Sequence, residues 1–408
     1  MSKAMKKTLL PSLRFPDFRD APQWQKNELN QFLTESRVLG AKGNTAKKIT
    51  VKLWGKGVFE KNDEIQGSIN TQYYSRAAGQ FIYSKLDFLN QAFGIIPKHL
   101  GSYQSTVDLP CFDIRGGINP TFLLEYVKRK DFYERLGEAA DGSRKARRIH
   151  ADTFLSFPIF MPPIEEQQKI ADCLSSIDAL ISAQSQKVEA LKTHKKGLMQ
   201  QLFPKDGETL PRLRFPEFRD VREWHGTTFG AAATFINGKA YKQEELLDQG
   251  KYRVLRVGNF FTNKEWYFSD LELEEDKYCD RGDLLYAWSA SFGPRIWSGE
   301  KVIYHYHIWK VVEAKGIDKK FLFVLLDYET DRMKATSANG LGLLHITKGA
   351  IESWKCCIPN IKEQQKIANF LESLDTFISA QSQKLDSLKN HKKGLMQALF
   401  PAVDEVKA

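Results

Sequence analysis

The side chains whose type and spacing best suit chemistry in this chain are cations. Ser143-Arg144-Lys145-Ala146-Arg147-Arg148 puts four positive charges in six residues just after Gly142. Cations on a loop pair with phosphates, and arginine can also bond guanine bidentately; a solvated basic turn is the plainer reading of the same run. Lys239 and Tyr241, which follow Asn237-Gly238, are further polar candidates, as are Ser289, Ser291 and Arg295. In the first half, Tyr83 and Lys85 follow a strand-like run and match the region of Tyr286. Taken singly, each of these is more readily structural than functional. The segment corresponding to the basic run, Asn339 to His345, is almost uncharged. Two surfaces that differ in this way suit two modules reading different sequences better than a uniform electrostatic clamp.

Motifs that would supply a reaction are missing. Gly43-Asn44-Thr45-Ala46-Lys47-Lys48 lacks the second glycine that a phosphate-cradling loop needs. Asn119-Pro120-Thr121-Phe122 lacks the second proline of an adenine-methyltransferase loop, and no glycine-rich strand-to-helix turn stands beside it. Glu275-Asp276-Lys277 with Asp270 has the composition of a nuclease metal site, a combination common on any charged surface. His305 and His307 lie two apart on a strand-like run and could share a metal, but no further ligand cluster accompanies them, and aromatic strand packing is the better reading. The chain reads as non-catalytic, with no cofactor or metal of its own.

The elements that must position these residues come in repeats. Residues 164–204 recur as 361–401 at a constant offset, with identity at 29 of 41 positions. Ile170, Leu174, Ile177, Ile181, Val188 and Leu191 fall on a 4,3 heptad spacing that Leu198 and Leu202 continue, interrupted by Gln184 and Lys195. The second copy repeats the seam as Ile367, Leu371, Leu374, Ile378, Leu385 and Leu388, then Leu395 and Leu399, with Gln381 and Lys392 as the interruptions. Such a narrow apolar stripe buries itself against another helix, so the two copies are expected to form an antiparallel coiled coil, a rod of roughly 60 Å at 1.5 Å per residue. The halves would then be related by a pseudo-two-fold with the blocks at opposite ends, Gln184 and Gln381 meeting near the axis. Pro162, Pro163, Glu165 and Glu166 suit a helix start; Pro204 and Gly207 suit a stop.

A shorter repeat precedes each variable block. Leu10 to Asp20 leads to Trp24, and Leu210 to Asp220 leads to Trp224. The order is an arm (1–24), a block (25–161), a helix (162–204), a second arm (205–224), a second block (225–358), a second helix (359–402) and a tail (403–408). The arms read as extended segments. Strand-like runs fall at 49–54 and 80–83 in block one and at 252–257, 283–286 and 301–304 in block two, with helices near 120–136 and 318–330. Gly79 to Tyr83 matches Gly282 to Tyr286, and Phe93-Gly94 matches Phe292-Gly293. The fold class is α/β (α+β), one block fold carrying two different surfaces.

Composition agrees. The 408 residues call for more than one domain, and 42% hydrophobic content is enough for packed cores. Five cysteines without C-x-x-C spacing read as reduced thiols, and no apolar run is long enough to span a bilayer; a cytoplasmic protein is expected. The formal charge of +10 and a pI near 9.1 favour a polyanionic partner.

The arms carrying Arg14-Phe15-Pro16 and Arg214-Phe215-Pro216, with the helix starts Glu166-Gln167-Gln168-Lys169-Ile170-Ala171 and Glu363-Gln364-Gln365-Lys366-Ile367-Ala368, resemble the specificity (S) subunit of type I restriction-modification systems, in prokaryotes, over nearly the whole chain. Asn237 to Lys242 and Leu341 to Gly349 also look like its target-recognition sequence. The resemblance implies a non-catalytic subunit with two target-recognition domains, each reading one half of a split double-stranded DNA target, and two conserved-type spacer helices between them. It implies two methylation subunits using S-adenosylmethionine and restriction (translocase) subunits using ATP and Mg as partners. Two other classes stay open at this point: a coiled-coil adaptor that binds no DNA, and a self-sufficient DNA methyltransferase or nuclease.

Overall fold

The computed structural model describes residues 10–62, 68, 70–137, 148–261, 264–289, 292–337 and 345–401. The chain divides into two compact units, Met1–Ser185 with Gln383–Ala408, and Gln186–Ser382. Each unit holds one arm, one block, the first half of one long helix and the second half of the other.

The long helices are Ile164–Leu202 and Ile361–Leu399. Pro163 precedes the first, and the Asn360 side chain caps the second by accepting from the amides of Lys362 and Glu363 at 3.1 Å. Every heptad seam position is buried or half-buried, and Gln184 is buried. In unit one, Ile170 and Leu174 share a core with Leu399 and Phe400, while Asp178 meets Lys392 at 2.7 Å. In unit two, Ile367 and Leu371 share a core with Met199 and Leu202, while Asp375 meets Lys195 at 2.6 Å. Numbers on one helix rise as those on the other fall, so the expected antiparallel pairing holds within each unit. Lys195 and Lys392 are therefore not mere interruptions. Each lays its methylenes in the seam and presents its ammonium to a carboxylate of the facing helix. Lys392 also reaches Glu125 of block one at 3.0 Å. Burial alone would raise the Glu125 carboxyl, but Lys128 and Lys392 outweigh it and hold it below its usual range.

The same sheet forms the centre of both blocks. In unit one it runs Leu33–Glu35, Cys111–Ile114, Phe81–Tyr83, Phe93–Ile95; in unit two Ala233–Asn237, Ile308–Glu313, Leu284–Ala287, Gly293–Ile296. All pairs within these two sheets are antiparallel. The Gly79–Tyr83 and Gly282–Tyr286 match thus marks one strand and the turn before it, where Gly79 and Gly282 take φ of 86° and 92°, a region that favours glycine. In each block the first strand pairs with the last, Gln25 opposite Met161 and His225 opposite Ile358.

Away from this sheet the blocks diverge. Block one adds a three-stranded sheet and a hairpin of Ile49–Lys52 with Gly57–Glu60. Block two instead adds a four-stranded sheet with a parallel pair, Tyr252–Leu255 beside Val302–Tyr304.

Some expectations need correction. The helix near 120–136 is two, Pro120–Val127 and Lys130–Gly137, broken where the Arg129 guanidinium turns inward to donate to the Pro401 carbonyl at 2.7 Å. The strand at 252–257 ends at Leu255 because Val257–Phe261 is helical. The arms are not wholly extended: prolines 16 and 216 each start a short helical turn. No helix among the described residues is long and apolar enough to cross a membrane.

Candidate nucleic-acid interface

The repeated motif residues fix each block to its helix. In unit one, Arg14 Nε and Nη2 donate to the two Glu166 oxygens at 2.9 and 2.7 Å, and its remaining donors go to the Ala21 and Pro22 carbonyls. In unit two, Arg214 bonds Glu363 at 2.7 and 2.7 Å and caps the Val221 and Arg222 carbonyls in the same way. Both carboxylates are 1% exposed. These bidentate bonds hold the guanidinium protons more tightly than usual.

The next motif residue grips the block. Gln167 accepts from the Asn119 amide at 2.9 Å and donates to the carbonyls of Gly117 and Pro162. Gln364 does the same with Asp318, Gly316 and Pro359. Asn119 and Asp318 are in turn the residues whose side chains accept from the first amides of the block helices. One helix turn thus holds the arm with its glutamate and the block with its glutamine. Trp24 and Trp224 fill the space behind, their rings against Phe400 and Phe203.

Block two gathers several candidates into one place. The turn between Val302–Tyr304 and Ile308–Glu313 carries His305, Tyr306 and His307, so the histidines lie in a turn rather than along a strand. Lys239 bridges to this turn through its backbone, its amide donating to the Tyr304 carbonyl and its carbonyl accepting from the Tyr306 amide. Gly238 is needed there: a Cβ would lie 2.3 Å from the Tyr304 carbonyl oxygen. The Tyr241 ring stacks on His305, and Trp288 Nε1 donates to the Tyr306 carbonyl at 2.7 Å. Ser289 follows Trp288 and forms a single antiparallel bridge with His345.

Beside the turn, Arg256, Asn259 and Glu265 face the histidines across a cleft of about 420 Å³. Burial first, then His307 and Arg256, push the His305 imidazole down to about 4, and His307 is lowered as well. Near neutral pH the His305 ring is uncharged; its Nδ1 accepts from the His307 amide at 3.4 Å, which leaves Nε2–H as a donor beside the obligate cation Arg256. Arg295 is exposed and lies over the Phe260 and Phe261 rings, at the helix that forms one wall. The Lys239 ammonium is engaged by Glu245 at 3.2 Å and is not a free cation. No group of three metal-ligating side chains is found among the described residues.

Block one behaves differently. Tyr83 is a correction: its ring is fully buried, stacked with Phe112, and its hydroxyl donates to the Ile149 and His150 carbonyls at 3.0 Å, so it is core and offers nothing to a ligand. Lys85 is half-buried, and its carbonyl accepts from the Ile149 amide, which sets its backbone beside that of exposed Arg148. Ser143, Arg144, Lys145 and Arg147 lie outside the described residues, as do Ser291 and Asn339.

The description "Type I restriction modification DNA specificity domain" belongs to a family model that matches residues 130–193 and 223–390, together more than half the chain. The chain belongs to that family. It is 27% identical over 271 residues to the type I restriction enzyme MjaVIII specificity subunit of Methanocaldococcus jannaschii, a match covering 62% of this chain and 64% of that protein, which is less than two thirds of its length. A second relative from the same organism, a putative type I restriction enzyme MjaX specificity subunit, is 25% identical over 70% of this chain and 68% of its own length. Among solved structures, a chain from a study of complex assembly in the type I R-M system superposes with a TM-score of 0.59 at 14% identity, covering 93% of this chain and 98% of that one. The type I S subunit from M. genitalium gives 0.54 at 16% identity, with 97% and 100% covered. These two likenesses carry the fold.

Within this type I specificity family member, the sequence reading missed the clamp and half of the block-two cluster. Arg14 with Glu166 and Arg214 with Glu363 were visible as repeated letters, but only the fold joins residues 152 and 149 positions apart. Arg256, Asn259, Trp288 and Tyr306 stand in unlike segments, and no spacing connects them.

Proposed function

We propose that this chain is the DNA-specificity subunit of a type I restriction-modification enzyme, reading a bipartite double-stranded target with one block for each half. The carrying observation is that one clamp, Arg14 to Glu166 or Arg214 to Glu363, holds two blocks that share a central sheet and diverge outside it. A coiled-coil adaptor would account for the seam and leave that divergence without a purpose. In block two the reader is the turn at His305 to His307 with Arg256, Asn259 and Trp288. These groups combine hydrogen bonding to base edges, a fixed charge for phosphate and aromatic surface. In block one Lys85, Arg148 and the preceding basic run serve.

The partners are methylation subunits, two in number, and restriction subunits. S-adenosylmethionine, ATP and Mg belong to them. Exposed apolar side chains support docking of one partner type twice, because they recur at equivalent places: Leu13 and Leu213 in the arms, Leu180 and Phe377 on the helices. The test is to express the chain with a matching methylation subunit and map methylated adenine in the DNA. Two short defined segments around an unspecified gap are expected. A continuous motif, or no methylation beyond that of the subunit alone, overturns the proposal.

A further inference from the structure

The hairpin of Ile49–Lys52 and Gly57–Glu60 in block one has a face that the core does not use. Ile49, Val51 and Val58 point inward and pack with Ile82, Ala92 and Ile96. The seat is tight: a Cβ on Gly94 would lie 2.5 Å from a Val58 methyl. Outward, Lys52 lies over the Phe59 ring at 4.1 Å. Residues 42–61 contain six lysines and one carboxylate, with Asp63 and Glu64 following outside the described residues.

The tip is the unusual part. Leu53, Trp54, Gly55 and Lys56 form the loop between paired Lys52 and Gly57. Trp54 is 59% exposed, whereas the other seven tryptophans are buried or half-buried. It takes a φ of 61°, in the left-handed region that bulky residues rarely enter. The tip is nevertheless fixed, because the Trp54 amide donates to the Asn90 carbonyl at 2.8 Å and the Gly55 amide to the Gln91 carbonyl at 2.9 Å. A large ring is thus held out in water on a tethered turn between Lys52 and Lys56. Strain of this kind, retained and supported, points to a use.

We propose that this hairpin is a duplex-DNA contact of block one, its lysines on phosphates and Trp54 set against the sugar and base edges in a groove. The inference rests on the DNA-specificity reading above and names a surface that reading does not include. Duplex DNA is the occupant that fits both features, since it offers closely spaced anionic charge together with apolar sugar faces and thymine methyls in its grooves. A protein partner would need only the apolar tip.

The test is binding of the full chain to a fluorescent mixed-sequence duplex across a range of salt. It compares the natural chain with Trp54→Ala and with Lys52→Ala/Lys56→Ala. These side chains are exposed, so unchanged thermal unfolding checks that each variant is folded. The lysine pair should lower the slope of log affinity against log salt by about 2, near one unit per phosphate contact. Trp54→Ala should weaken binding about tenfold at every salt concentration with the slope unchanged, the loss of one apolar contact in the groove. If the natural chain binds with a steep salt slope and both variants match it, the hairpin assignment is wrong and the DNA reading stands. If the natural chain has no salt-dependent affinity, the reading fails and takes the hairpin with it. If Trp54→Ala binds DNA normally and loses assembly with methylation subunits, the tip belongs to a protein partner and the inference is overturned.

Discussion

At the scale of single residues, the arm arginine and the helix-start glutamate decide whether a block stays on its scaffold. Glu363 receives both Arg214 bonds and a third from Trp224 Nε1 at 3.2 Å, at a site closed to water. Removing one partner of such a pair leaves the other buried and uncompensated, which costs about 3–5 kcal/mol. Glu363→Ala should lose that much stability in denaturant unfolding of the full chain, and Glu363→Leu with Arg214→Met should recover most of it. A loss below about 1 kcal/mol for the single variant would place the pair among weak surface bridges. The letters of this clamp were legible in the sequence, because arginine and glutamate recur at matching places in both copies. Their partnership was not, since heptad spacing describes one helix face and is silent about an arm at the far end of a block. Tyr83 shows the converse. It follows a strand-like run and its position invited a functional reading, but aromatic periodicity does not say which face of a sheet is covered.

At the scale of elements, the seam was the most legible feature of the chain. The 4,3 spacing gave the buried positions of both long helices, and the structure keeps every one from full exposure. What the spacing could not supply was the use of its polar members, because a lysine in an apolar stripe reads as a break until the facing carboxylate is known. A pair of truncations tests the seam. Leu174 is fully buried and Leu180, six residues on, is 58% exposed. Leu174→Ala should therefore cost about 2–5 kcal/mol by lost burial and a residual cavity, whereas Leu180→Ala should change stability by no more than about 0.5 kcal/mol. If Leu180 docks a partner, its truncation should instead weaken assembly with methylation subunits. Equal destabilisation by the two, measured by denaturant unfolding, would contradict the assigned face.

At the scale of the whole molecule, the sequence disclosed a duplicated plan through its repeats, and the two central sheets bear out the faint glycine and aromatic matches between the blocks. The parts that differ were the least legible. The hairpin of block one and the parallel pair of block two arise from unrelated segments, and their surfaces depend on turns such as those at Trp54 and His305, where a single residue's conformation sets the direction of a side chain. That division of labour, a common clamp under divergent surfaces, is the central claim. It is tested most directly by exchanging residues 225–358 for the equivalent block of another family member and mapping methylated adenine in cells that also express a matching methylation subunit. The account predicts that one segment of the split target changes and the other is retained. A change in both segments, or a single continuous motif before and after exchange, would contradict it.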